Sequence, residues 1–120
     1  MDNQSLRKTE KPWGYELLFA HTSRYAGKFI YVRKGHRLSL QYHNEKDKTL
    51  YIHTGRVFLE IEDSEGHLIG SEFTRDHCYR VLPNTKHRLK ALEDTVIFEV
   101  STPELDDLVR LDDDYGRTQQ

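Results

Sequence analysis

Gly35-His-Arg-Leu-Ser-Leu-Gln41-Tyr-His43-Asn-Glu-Lys-Asp-Lys48-Thr-Leu-Tyr-Ile-His-Thr-Gly55 is the stretch on which the reading of this chain turns. Its first part alternates as a strand does, with Arg37, Ser39, Gln41 and His43 on one face and Leu38, Leu40 and Tyr42 on the other. A polar face carrying an imidazole and an amide is half of a metal or ligand site. The other half is expected downstream, at Pro83-Asn84-Thr85-Lys86-His87. Lys48 lies between the halves, at the spot where such a site wants a carboxylate.

Short apolar-alternating runs continue on both sides of this stretch. Trp13 to Ala20, Tyr25 to Arg33 and Arg37 to His43 are three. Thr49 to His53 and Arg56 to Ile61 flank Gly55, which reads as a turn. Asp63-Ser-Glu-Gly66 is a second turn, with His67 to Phe73 beyond it. Tyr79 to Leu82, His87 to Ala91 and Val96 to Ser101 complete nine expected strands. With no helical period before position 103, this spacing predicts an all-β sandwich or barrel. Pro103 to Val109 reads as one helical turn capped by Ser101 or Thr102. Residues 1–11 are expected to be a mobile or loosely paired arm, 12–117 the folded domain and 118–120 a polar tail.

At 120 residues the chain is one domain that buries a core without staples. Hydrophobic content of 36% against 32% charge is polar, yet aromatic and β-branched residues recur throughout, which argues against disorder. A net charge of −2 gives no electrostatic reason to expect nucleic acid or an anionic membrane as partner. The single cysteine, Cys78, excludes an internal disulfide and fits a reducing compartment. No apolar leader and no span-length apolar run is present, so a cytoplasmic protein is the expectation.

The spacing is more specific than the alternation. Gly35, five residues, Gln41-x-His43, four residues, Lys48, six residues and Gly55 resemble the first cupin motif, with Gln for its first His and Lys for its Glu. Leu82-Pro83-Asn84-Thr85-Lys86-His87 resembles the second motif, PxGxxH, with Leu for its first Pro and Asn for its Gly. Asn tolerates positive φ better than other non-glycine residues, so that exchange is mild. Three further patches resemble the cupin domain of type II phosphomannose isomerases and their small stand-alone relatives. They are Lys11-Pro12-Trp13-Gly14-Tyr15-Glu16, Arg37 to His43, and Val109 to Arg117. The resemblance implies a single-domain jelly-roll barrel, often a homodimer, with a sugar or sugar-phosphate ligand. In catalytic members it also implies a divalent metal held by Gln, His, Glu and His, which maps onto Gln41, His43 and His87, with Lys48 in the place of the Glu.

Interconverting an aldose and a ketose moves a proton between neighbouring carbons through an enediolate. A metal polarises the oxygens while a side chain carries the proton. Imidazole, amide and carboxylate together suit Zn, Mn, Fe or Ni without selecting among them. Phosphate recognition wants Arg or Lys. Arg37 shares the face of Ser39, Gln41 and His43, and Arg117 is a candidate by resemblance. His43 and His87 are metal ligands or, alternatively, polar walls of a metal-free cavity. Trp13 and Tyr15 are core packing or a surface for a sugar. Asp112-Asp113-Asp114 lacks the spacing of a Ca²⁺ loop and reads as a solvated turn.

Lys48 leaves three arrangements open, because an ammonium does not ligate and repels a unit charge by ~4 kcal/mol at 4 Å and effective ε of 20, doubled for a dication. The metal is absent and Lys48 meets a ligand oxygen or phosphate. Or Lys48 swings out, leaving Gln41, His43 and His87 with water. Or Asp47 or Glu45 supplies the carboxylate. Lys48 and His87 are the candidate proton-transfer residues, and Lys46-Asp47-Lys48 also reads as a charged lead-in to a strand. The functional readings are thus a mannose-6-phosphate isomerase-like isomerase or epimerase, acting on a sugar phosphate or nucleotide sugar; a metal-free cupin that binds a carbohydrate-like molecule without changing it; and a structural or regulatory dimer with a vestigial cavity.

Overall fold

The computed structural model describes residues 6–118; readings that fall on 1–5 and 119–120, parts of the expected arm and tail, lie outside them. Eleven strands follow in order: β1 (Arg7–Lys11), β2 (Gly14–His21), β3 (Ala26–Val32), β4 (Leu40–Tyr42), β5 (Lys48–Thr54), β6 (Arg56–Glu62), β7 (Leu68–Thr74), β8 (Cys78–Val81), β9 (His87–Ala91), β10 (Thr95–Ser101) and β11 (Val109–Asp112). They build two antiparallel sheets, ordered β1-β2-β3-β10-β5-β8 and β11-β4-β9-β6-β7. Strands distant in sequence are neighbours in both sheets, as a jelly roll requires.

Alternation decides which side chains enter the barrel. In β5, Lys48, Leu50 and Ile52 are buried while Thr49, Tyr51 and His53 face outward. The same parity in β3, β6, β9 and β10 supplies Ile30, Val32, Val57, Leu59, Leu89 and Ile97 to one core that includes Trp13. Each such side chain contributes roughly 1.5–3 kcal/mol by leaving water. Gly55 carries φ +94°, and a Cβ there would collide with Thr95 Oγ1 and the Asp94 carbonyl, so the turn between β5 and β6 calls for glycine. Asn84 stands at φ +61°, the left-handed conformation expected for the residue in the motif's glycine position.

All nine expected strands form, and two more join them. β1 has no apolar alternation because it is an edge strand with exposed side chains, yet its backbone pairs with β2 from Arg7↔Leu18 to Lys11↔Gly14. Residues 7–11 of the expected arm are therefore a paired strand. β11 is four residues long and pairs with β4. The helical turn expected after Pro103 does not form, and the described residues contain no helix. Instead Leu105 N–H donates to Pro103 O at 2.8 Å, a tighter turn that leaves Asp107 turned toward residues 44–46. With no helix at all, none of the described residues forms one long and apolar enough to cross a membrane.

Candidate functional site

Register brings the two motif halves together. Gln41 on β4 lies opposite His87 on β9 at one side and Arg110 on β11 at the other. From the other, six-stranded sheet, Lys48 pairs across to Ser101, and Glu99 sits between Lys28 and Leu50. A cavity of about 130 Å³ is lined by Ser39, Gln41, His43, Lys46, Lys48 and Glu99, and further by Trp13, Glu16, Lys28, Arg110 and Arg117.

The two imidazoles have defined tautomers. His43 Nδ1 lies 2.6 Å from Asp107 O and His87 Nδ1 2.9 Å from Thr85 O. A carbonyl only accepts, so each ring donates from Nδ1 and carries a lone pair on Nε2. Both Nε2 atoms are buried without a hydrogen-bond partner among the described residues, and the ring centroids are 5.4 Å apart. Burial, reinforced by repulsion from Lys48, pushes His43 down to about 4 and His87 down to about 2. Both rings are neutral bases at neutral pH.

Beside them lies a cluster of buried charge. Glu99 Oε1 is 3.5 Å from Lys48 Nζ, and Oε2 is 3.5 Å from Lys46 Nζ and 4.0 Å from Lys28 Nζ. Burial acts to push the Glu99 carboxyl up, but the three lysines prevail and hold it at about 2. Lys28 has a second carboxylate, Glu16, at 2.6 Å. Among the described residues Lys46 and Lys48 share Glu99 alone, although their side chains are only 5% and 7% exposed. Burial, with repulsion from Lys46 and Lys28, lowers the Lys48 ammonium from its usual range against the pull of Glu99.

Of the residues that the sequence pattern offers, Ser39, Gln41, His43 and Lys48 line the cavity, whereas His87 does not line it and lies opposite Gln41 with its ring centroid 5.4 Å from that of His43. Arg37 is not with them. Its strand does not extend back from Leu40, and Arg37 makes only an isolated bridge to Lys90, so the alternation that put it on the face of Gln41 does not reach it. Its guanidinium grips Asp114 at 2.6 and 2.7 Å, outside the residues that line the cavity. Arg117 does line the cavity, but its fork is held by Asp113 at 2.8 and 2.9 Å. Trp13 is both core and cavity wall, whereas Tyr15 packs on Tyr31 at the outer face.

Sequence reasoning missed Glu99, Lys46, Lys28, Glu16 and Arg110. Glu99 had a readable signal, since it shares the buried parity of Ile97 and Ser101 in β10. Arg110 had none, because a four-residue strand carries no period. Its side chain makes no hydrogen bond or ion pair among the described residues, and it is the cavity arginine whose fork no carboxylate holds.

A divalent metal finds a poor match here. The two Nε2 lone pairs suit one, but Lys48 stands for the carboxylate and Glu99 is already engaged by lysines. Among the described residues no group of three or more His, Cys, Asp or Glu is placed to hold a metal. A dication 4 Å from one of these ammoniums would be repelled by ~8 kcal/mol at effective ε of 20. The residues present do not fit a divalent ion, and the chemistry below runs without one.

No protein-family profile matches the chain, and no curated protein does. Solved structures do. Oxalate decarboxylase from Bacillus subtilis superposes with a TM-score of 0.77 at 15% identity, over 88% of this chain and 30% of that one. CapF, the capsular polysaccharide assembling protein from Staphylococcus aureus, gives 0.74 at 14% identity, over 90% of this chain and 34% of that one. KdgF from Halomonas sp. gives 0.69 at 19% identity, over 86% and 89%. This chain therefore spans about a third of the first two proteins and most of the length of the third. All three are cupin-fold proteins, and the chain has the cupin fold, an all-β jelly-roll barrel. Likeness at such identities concerns fold alone.

Proposed function

We propose that the cavity takes the anionic, carbonyl-bearing end of a sugar derivative, a sugar phosphate or nucleotide sugar, and that the chain isomerises or epimerises it without a metal. One observation carries this reading: two buried lysines share a single carboxylate inside a protein of net charge −2. Unbalanced buried charge is costly, and an anionic occupant supplies the balance. Arg110 offers a free guanidinium fork suited to a pair of phosphate or carboxylate oxygens. The cavity volume of about 130 Å³ is close to the ~150 Å³ that holds benzene. It admits the reacting end of a sugar and leaves the rest of a larger ligand outside. The resemblance to type II phosphomannose isomerases supports a sugar ligand.

In this reading His43 Nε2 takes the proton from the carbon beside the carbonyl, and the Lys46 and Lys48 ammoniums stabilise the oxygen that gains charge. A module that binds such an anion without turnover is the second reading, favoured by Lys48 at the position of the family's ligating carboxylate. Proton NMR of mannose 6-phosphate or a nucleotide sugar in D₂O, with protein and chelator, separates the two. Loss of the signal of the hydrogen beside the carbonyl is the expected result. Binding without exchange leaves the second reading, and no binding of either ligand by calorimetry overturns both. Arg110→Met is expected to weaken binding by roughly 10–100-fold, the worth of one charge-assisted hydrogen-bonded pair.

A further inference from the structure

We propose that Lys48 condenses with the carbonyl carbon of its ligand to form an imine, and that the reaction served is epimerisation at the adjacent carbon. This deepens the reading above and rests on its ligand class. Lys48 is placed by backbone pairing on both sides, to Ser101 on β10 and Val81 on β8, so its amine enters the cavity from a rigid strand. Its Nζ is 3.5 Å from Glu99 Oε1, and Lys46 stands at the other oxygen of the same carboxylate. A lysine amine is nucleophilic only when neutral, and a desolvated site next to another cation is what makes it so. Glu99 balances one positive charge, and Lys48 is the lysine that β5 holds between two paired strands, whereas Lys46 lies in the segment before that strand; burial and its lysine neighbours lower the Lys48 ammonium.

The step balances without an added reagent. The Lys48 ammonium gives one proton to the carbonyl oxygen, the Nζ lone pair so freed adds to the carbonyl carbon to form a C–N bond, and the same oxygen takes a second proton from the nitrogen and leaves as water. The protonated imine keeps its positive charge beside Glu99, so the ion pair survives the condensation. Electron withdrawal by that imine loosens the hydrogen on the next carbon, and His43 Nε2, in the same cavity, takes it to leave an enamine. Water protonates that carbon on its other face to restore the imine, His43 gives its proton to the hydroxide so formed, and hydrolysis frees Lys48 and the epimer. Moving the double bond onward, as aldose–ketose isomerisation requires, would leave the sugar attached through a C–N single bond that water does not cleave. Imine chemistry therefore selects the epimerase branch of the function proposed above.

Trapping tests this directly. The full chain is incubated with D-glyceraldehyde 3-phosphate, a three-carbon anionic aldehyde that suits the cavity, then reduced with sodium borohydride and mapped by peptide mass spectrometry. The expected result is a saturable adduct on Lys48 while the exposed Lys8 stays unmodified, and loss of that adduct in Lys48→Arg. Adducts spread over surface lysines, or confined to Lys46, overturn the proposal. The peptide map of the natural chain locates the adduct even if the variant misfolds. Calorimetry with the same aldehyde phosphate, without borohydride, separates the two levels. Binding with no Lys48 adduct overturns the imine and leaves the anion site standing, whereas no binding overturns both.

Discussion

The ammonium of Lys48 reverses the charge at the point where a metal-ligating carboxylate is implied, and its neighbours respond to that reversal. Glu99 faces it at 3.5 Å, and the buried His43 and His87 stay neutral partly because a cation is close. Charge reversal at position 48 should accordingly convert the site. Lys48→Glu would add a carboxylate to two unpartnered imidazole nitrogens and one amide, a donor set that suits Zn, Mn, Fe or Ni. Elemental analysis after dialysis against trace metal is expected to find about one ion per chain in the variant and far less in the natural protein. Equal metal content in the two would refute the argument that Lys48 excludes the ion.

Two short elements hold the site open to this chemistry. The segment between β10 and β11 turns Asp107 so that its carboxylate accepts the N–H groups of Asn44, Glu45 and Lys46 at 2.9, 2.6 and 2.9 Å, while its carbonyl accepts from His43. One residue thus places both the imidazole and the loop that carries Lys46. Asp107→Ala is expected to cost about 2 kcal/mol, the scale for losing hydrogen bonds to a charged group, measured as a lower urea midpoint at unchanged slope. β11 then runs into an acidic turn whose carboxylates each hold an arginine: Asp112 with Arg88, Asp113 with Arg117, Asp114 with Arg37. The run expected to be a solvated turn is therefore a clasp. It engages both arginines that the sequence pattern offered for phosphate and leaves Arg110, among the described residues, as the cavity-lining arginine with a free fork. None of this was legible beforehand, because a tight turn and a four-residue strand carry too few residues to show a period.

Acid stability follows from the whole set of buried groups. An unfolded histidine takes its proton near 6.5, whereas native His43 does so only near 4 and native His87 near 2. Below pH 6.5 the unfolded chain binds more protons than the folded one, so stability falls as pH falls. Glu99 acts in the same direction: its contribution is complete above its ordinary value of 4.5 and is lost on descent to about 2. Two such imidazoles give a slope on the order of 2–3 kcal/mol per pH unit between about pH 6 and 4. Urea midpoints over that range should drop steeply, and His87→Gln should make the drop shallower. A flat profile would contradict neutral, buried imidazoles. The sequence by itself determined the barrel, its cavity face and the positions of Gln41, His43, Lys48 and His87, because strand parity and motif spacing are local properties of the chain. Only the tertiary structure decided that Glu99 answers Lys48, that Lys46 must share it, and that Arg110 rather than Arg37 faces the cavity. Those partnerships depend on which distant strands lie side by side and in what register, and no local pattern encodes that.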